Sequence, residues 1–100
     1  MLEKIRSLRA EIDELNLRLL ELLSRRAEAA AEIGALQTEL GASQYEPVRE
    51  QEMLDALVAA NRGPFDAGTV KSLFKQIFQA SMQLGQAAQN PALTGVRPNT

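Results

Sequence analysis

Residues 2–40 read LEKIRSLRAEIDELNLRLLELLSRRAEAAAEIGALQTEL. At seven-residue spacing, Ile5, Leu8, Ile12, Leu15, Leu19, Leu22, Arg26, Ala29, Ile33, Leu36 and Leu40 form a single stripe, the signature of a long amphipathic helix. No proline interrupts the stretch, and its only glycine is Gly34. The spacing predicts one helix of about 38 residues, close to 60 Å in length. A compact monomer of this size has a radius of gyration of about 13 Å and cannot shelter such a rod along its whole length. The stripe is therefore expected to find cover on a second copy of the chain, giving a homodimer through the first helix. Glu3, Arg6, Glu11, Asp13, Glu14, Arg18, Glu21 and Arg25 occupy the outer face and read as a solvated surface with weak i,i+3 and i,i+4 pairing.

Composition narrows the chemistry. The chain has 100 residues, enough for one small domain. It contains no cysteine, so disulfides and thiolate metal sites are excluded. It also contains no histidine, which removes the commonest metal ligand and the usual general base near neutral pH. The net charge of -2 and the lack of any basic tract argue against nucleic acid as a partner. Nothing approaches the length of a membrane span, and the charged, periodic N-terminus is unlike a secretory signal, so the expected setting is cytoplasmic. Many alanines and leucines with few aromatic or β-branched residues indicate an all-α fold.

Gly41, Ala42 and Ser43 end the first pattern, and the chain turns through Gln44-Tyr45-Glu46. Pro47 suits the first position of a second helix, where a missing N–H costs nothing, and Glu50 and Glu52 complement its dipole. Val48, Met53, Leu54, Leu57 and Val58 supply an apolar side, and Asn61-Arg62-Gly63-Pro64 stops the helix. Asp66 can cap a third helix running to about residue 89, with Val70, Leu73, Phe74, Ile77, Phe78, Met82 and Leu84 as its buried side. Asn90-Pro91 ends it. The expected organisation is a helical domain over 1–90 and a linker or disordered tail over 91–100.

Four polar residues stand out. Arg26 occupies a stripe position otherwise filled by apolar residues; a snorkelling arginine or a register-fixing ion pair would account for it equally well. Arg9 flanks the stripe and, taken alone, is a surface residue. Glu50 is by itself an ordinary N-terminal acid, and Ser81 a small residue bonding back to a carbonyl. Together, two arginines, a carboxylate and a hydroxyl suggest a pocket for a small dianion, because guanidinium forks match carboxylates bidentately. Arg9 and Arg26 lie about 25 Å apart along one helix, so one small ligand cannot readily touch both in the same chain. Across an antiparallel helix pair, Arg9 of one subunit can approach Arg26 of the other.

The run Leu8-Arg9-Ala-Glu-Ile12-Asp13-Glu-Leu15-Asn16, followed by Leu19-Leu20-Glu-Leu22-Leu23-Ser-Arg25-Arg26, resembles the long first helix of the all-helical (AroQ-class) chorismate mutases. Pro47-Val48-Arg49-Glu50-Gln51-Glu52 looks like that family's second-helix signature, and Leu73-Phe74 and Ser81 fall where its third helix places them. The resemblance covers about residues 2 to 89. The turn at Asn61-Arg-Gly-Pro-Phe65 and the trailing tail look most like the mutase domain fused to some 3-deoxy-D-arabino-heptulosonate-7-phosphate (DAHP) synthases. The resemblance implies an intertwined homodimer of three-helix chains that rearranges chorismate to prephenate without a cofactor. It further implies that Arg9 of the partner and Arg26 clamp the two carboxylates, that Ser81 assists, and that Glu50 accepts the ring hydroxyl with the backbone near Glu46. Arg49 would help order the site.

Two positions depart from the family pattern. Gln37 stands where a lysine usually donates to the ether oxygen, and Gly85 stands where a glutamine is usual, with Gln86 next to it but rotated by about 100°. Gln37 lies about three turns beyond Arg26 and so faces the same side. Its amide can donate a hydrogen bond but carries no charge. These departures predict retained binding of chorismate and prephenate with weakened chemistry. A regulatory chorismate- or prephenate-binding domain of a DAHP synthase is the alternative, and a purely structural helical dimerisation module is a third reading.

Overall fold

The computed structural model describes residues 1–89, with side chains described to Leu84. Three helices follow one another: α1 (Leu2–Glu39), α2 (Pro47–Ala60) and α3 (Ala67–Gln89). The fold is all-α, as the periodicity predicts. The expected tail over 91–100 lies outside the described residues. The molecule measures 58 × 36 × 18 Å, its long dimension matching the length of α1.

The turns form for local reasons. Gly41 takes φ 70°, and its N–H reaches Thr38 O at 3.1 Å while the Ala42 N–H reaches Gln37 O at 2.8 Å. These are the two bonds of a Schellman motif, which needs a left-handed residue just past the helix end. Pro47 opens α2, and the first bond of that helix runs from the Glu50 N–H to Glu46 O at 3.0 Å. Asn61 ties the next loop from both sides. Its amide donates to Phe65 O at 2.7 Å, and its carbonyl oxygen accepts from the Gly63 N–H at 3.0 Å. Asp66 caps α3 by accepting the Thr69 N–H at 2.7 Å, as expected.

α3 packs against both α1 and α2, while the backbones of α1 and α2 stand apart. The core is small: Leu54 of α2 with Val70 and Phe78 of α3 are its buried apolar side chains among the described residues. α1 joins through Leu23, Ala27, Ala30, Ala31 and Gly34, a seam of mostly small residues distinct from the leucine stripe. Gly34, which lies against Gln44 of the following loop, is the one buried α1 residue.

Residues 1–22 are all exposed. The stripe itself stays uncovered, with Ile12 at 54% and Leu36 at 53% exposure. Three residues assigned from the pattern to buried sides are exposed as well: Val48 on α2, and Leu73 and Leu84 on α3. Helical spacing locates an apolar side, but a chain of three helices has too few neighbours to cover all of it.

Candidate functional site

Between α1 and α2, with α3 as its floor, lies a cavity of about 370 Å³. Arg26, Ala29, Ala30, Ile33, Gly34 and Gln37 of α1 line it on successive turns. Gln44 and Glu46 come from the connecting loop, Arg49, Glu50 and Met53 from the first turns of α2, and Phe78, Ser81 and Met82 from α3. Six of the seven residues singled out in the sequence therefore meet in one cavity: Arg26, Gln37, Glu46, Arg49, Glu50 and Ser81. The seventh, Arg9, is exposed on the N-terminal half of α1 and does not line the cavity.

Arg26 is the best-anchored charge. Its Nη1 donates to Ser81 Oγ at 3.1 Å, its Nη2 approaches Met53 Sδ at 3.9 Å, and its guanidinium carbon sits 4.9 Å from the centre of the Phe78 ring. The ring face attracts the cation, and Phe78 is itself braced by Phe74, with ring centres 6.3 Å apart. Ser81 is buried and accepts from Arg26; its position alone suggested instead a bond back to its own helix. These contacts leave the guanidinium with unused donors along the cavity wall.

The opposite end is polar and uncharged on the α1 side. Gln37 Nε2 donates to Glu46 Oε1. Gln44 bridges loop and helix, its Nε2 reaching Gly34 O at 3.3 Å and Thr38 Oγ1 at 3.0 Å. Two arginines and two glutamates thus line the cavity, with the amides of Gln37 and Gln44 and the hydroxyl of Ser81. Such a lining offers forked donors for carboxylates and acceptors for a hydroxyl. Among the described residues no cluster of acidic side chains is arranged to hold a metal ion, and no helix is long and apolar enough to cross a membrane.

Sequence reading missed two contributors. Gln44 sits in a loop with no periodicity to flag it. Phe78 reads as ordinary core, and only the fold shows that its face carries Arg26. Whether Gln86 makes good the absent side chain at Gly85 lies outside the described side chains.

Known proteins share this arrangement of helices. The family model for chorismate mutase type II matches residues 8–86. A solved chorismate mutase from Thermus thermophilus (form II) is 51% identical, with a TM-score of 0.81 over 83% of this chain and 94% of that one. Form I from the same organism is 52% identical with a TM-score of 0.76, covering 78% of this chain and 98% of that one. The bifunctional chorismate mutase/prephenate dehydratase of Pseudomonas aeruginosa is 35% identical over 89 residues, covering 84% of this chain and 24% of that protein. The chain thus spans about a quarter of the length of the curated relatives it matches. With the family match running through all three helices, and about half of the aligned residues identical to those of a solved mutase of the same fold, the chain belongs to the chorismate mutase type II family.

Proposed function

We propose that this chain catalyses the rearrangement of chorismate to prephenate, a step of aromatic amino-acid biosynthesis. The observation that carries the reading is Arg26, held by Ser81 and Phe78 so that its free donors line a cavity of about 370 Å³. The reaction is intramolecular: an ether C–O bond breaks as a C–C bond forms, with no covalent enzyme intermediate. The protein need only hold a compact conformer and stabilise charge developing on the ether oxygen. Arg26 grips one carboxylate with help from Ser81, Glu50 accepts the ring hydroxyl beside the Glu46 backbone, and Arg49 orders that end. Gln37 donates to the ether oxygen. Because its amide is uncharged, turnover is weaker than a lysine would support.

Arg9 enters from a second subunit. The uncovered stripe of α1 and the small core support a homodimer through the long helix, and a second copy would bring Arg9 about 25 Å from its own Arg26 to that of its partner. With it, the cavity gains a third arginine against its two glutamates, a net positive charge suited to a dianion. The setting we propose is cytoplasmic.

A non-catalytic chorismate- or prephenate-binding role in regulating a DAHP synthase is the second reading, favoured by the missing charge at Gln37. The turn at 61–65 is its remaining support, since the curated relative named above pairs the mutase with prephenate dehydratase. The two readings part in one experiment. Loss of chorismate absorbance is followed alongside calorimetric titration with prephenate. Turnover that falls at least about a hundredfold in Arg26→Ala supports the enzyme. Tight prephenate binding without turnover supports the regulatory domain, and neither binding nor turnover rejects both.

A further inference from the structure

We propose that Glu46 is a positioning residue: its carboxylate holds the Gln37 amide in place, so that the second N–H of that amide faces the cavity. The inference rests on the reading of the site as a mutase centre with Gln37 as the ether-oxygen donor. A glutamine side chain has three rotatable bonds and an amide that can flip, so an unrestrained Gln37 would present its carbonyl as readily as its N–H. Glu46 removes that ambiguity. An ionised carboxylate accepts and cannot donate, so it selects the orientation in which Gln37 Nε2 faces it. The amide nitrogen carries two hydrogens; one goes to Glu46 and the other remains for a ligand.

The loop that carries Glu46 is pinned at three points. At its start, the Schellman turn at Gly41 reverses the chain, with Ala42 N–H bonded at 2.8 Å to the carbonyl of Gln37 itself. In the middle, Gln44 Nε2 bonds to Gly34 O at 3.3 Å and Thr38 Oγ1 at 3.0 Å. Gly34 lies directly against that latch, a Cβ there falling at ordinary contact distance, 3.4 Å, from Gln44 Oε1. At the end, Glu46 O accepts the first helical bond of α2 from Glu50 N–H at 3.0 Å. These bonds fix the backbone from which the Glu46 side chain reaches Gln37. The loop therefore acts as a brace for the donor, a role separate from any contact that Glu46 makes to substrate through its backbone.

The test is steady-state kinetics on chorismate with Glu46→Ala, Glu46→Gln, Gln37→Ala and the double variant Glu46→Ala/Gln37→Ala. Loss of the brace lowers kcat about tenfold while KM stays within about twofold, because the donor acts in the transition state rather than in binding. Glu46→Gln can donate as well as accept, so it holds the Gln37 amide without selecting its orientation, and kcat falls between that of Glu46→Ala and that of the parent protein. In the Gln37→Ala background, removing Glu46 changes kcat by less than about twofold, since the two side chains act as one unit. In parallel, the Gln37 side-chain amide resonances of the ligand-free protein shift on Glu46→Ala. Unmoved resonances, a kcat loss that recurs in full without Gln37, or an effect confined to KM would each overturn the proposal alone. A parent protein that does not turn over chorismate overturns the functional reading, and this proposal with it.

Discussion

Arg26 stands on a stripe that its neighbours fill with apolar side chains, and its surroundings explain why it is tolerated. It is half-buried against Phe78 and bonded to Ser81, so its charge is offset by a ring face and a hydroxyl rather than by a carboxylate. Among the described residues no carboxylate pairs with the guanidinium, which leaves its fork available to an external anion. Gln37 is the weak point of the same wall. Gln37→Lys should raise kcat several-fold to about tenfold, the gain expected when a neutral donor is replaced by a charged one next to Glu46. Initial-rate measurements check this, and an unchanged rate would place Gln37 away from the ether oxygen. Of the cavity residues only Arg26 sits oddly in its own helix; Glu50 and Ser81 read as ordinary one by one, and Gln37, Glu46 and Arg49 were singled out through the family resemblance. Gln44 was not legible, because a loop glutamine becomes meaningful only when its partners, Gly34 and Thr38, come close.

At the level of the helices, boundaries followed local chemistry. The left-handed φ of Gly41 permits both bonds that close α1. Gly41→Ala should destabilise the protein by about 1 kcal/mol, measured by urea unfolding, since a Cβ in that conformation meets its own carbonyl. The cap of α3 carries a pH signature. The Thr69 backbone N–H, and secondarily its side chain, hold the Asp66 carboxyl below its ordinary 3.8. A depressed folded value means that the cap contributes stability above the ordinary carboxyl value and loses it as pH falls through the folded one. Asp66→Ala should therefore lower Tm at neutral pH, and the gap to the parent protein should narrow below about pH 4; a gap constant with pH would show that the carboxylate charge plays no part. The two exposed i,i+4 pairs, Glu14–Arg18 and Glu21–Arg25, both at 2.7 Å, contribute only a few tenths of a kcal/mol each.

For the whole molecule, the imbalance is between a long helix and a thin core. Leu54, Val70 and Phe78 are buried, while Ile5, Leu8, Ile12, Leu15, Leu19 and Leu22 of α1 remain in water. Uncovered apolar surface on this scale drives association. Sedimentation over a dilution series should show a dimer at micromolar concentration. A charge in the stripe, as in Ile12→Glu, should raise the dissociation constant at least about a hundredfold, the cost of burying an unpaired charge. The same substitution should lower turnover, because Arg9 then no longer reaches the cavity of a second chain. A stable, folded, active monomer would refute both.

Periodicity and punctuation determined the three helices, their ends and the all-α class, because spacing, caps and breakers act within a few residues of themselves. The same local logic overestimated burial: Val48, Leu73 and Leu84 belong to apolar sides but remain exposed. Which face of α1 meets α3 was decided only in three dimensions. The leucine stripe is the more hydrophobic face, yet the α1 residues that the rest of the chain covers include Leu23, Ala27, Ala30, Ala31 and Gly34, most of them small. That choice leaves the leucines free for a second chain. It also turns Arg26, Gly34 and Gln37 toward the cavity, where side chains from all three helices converge.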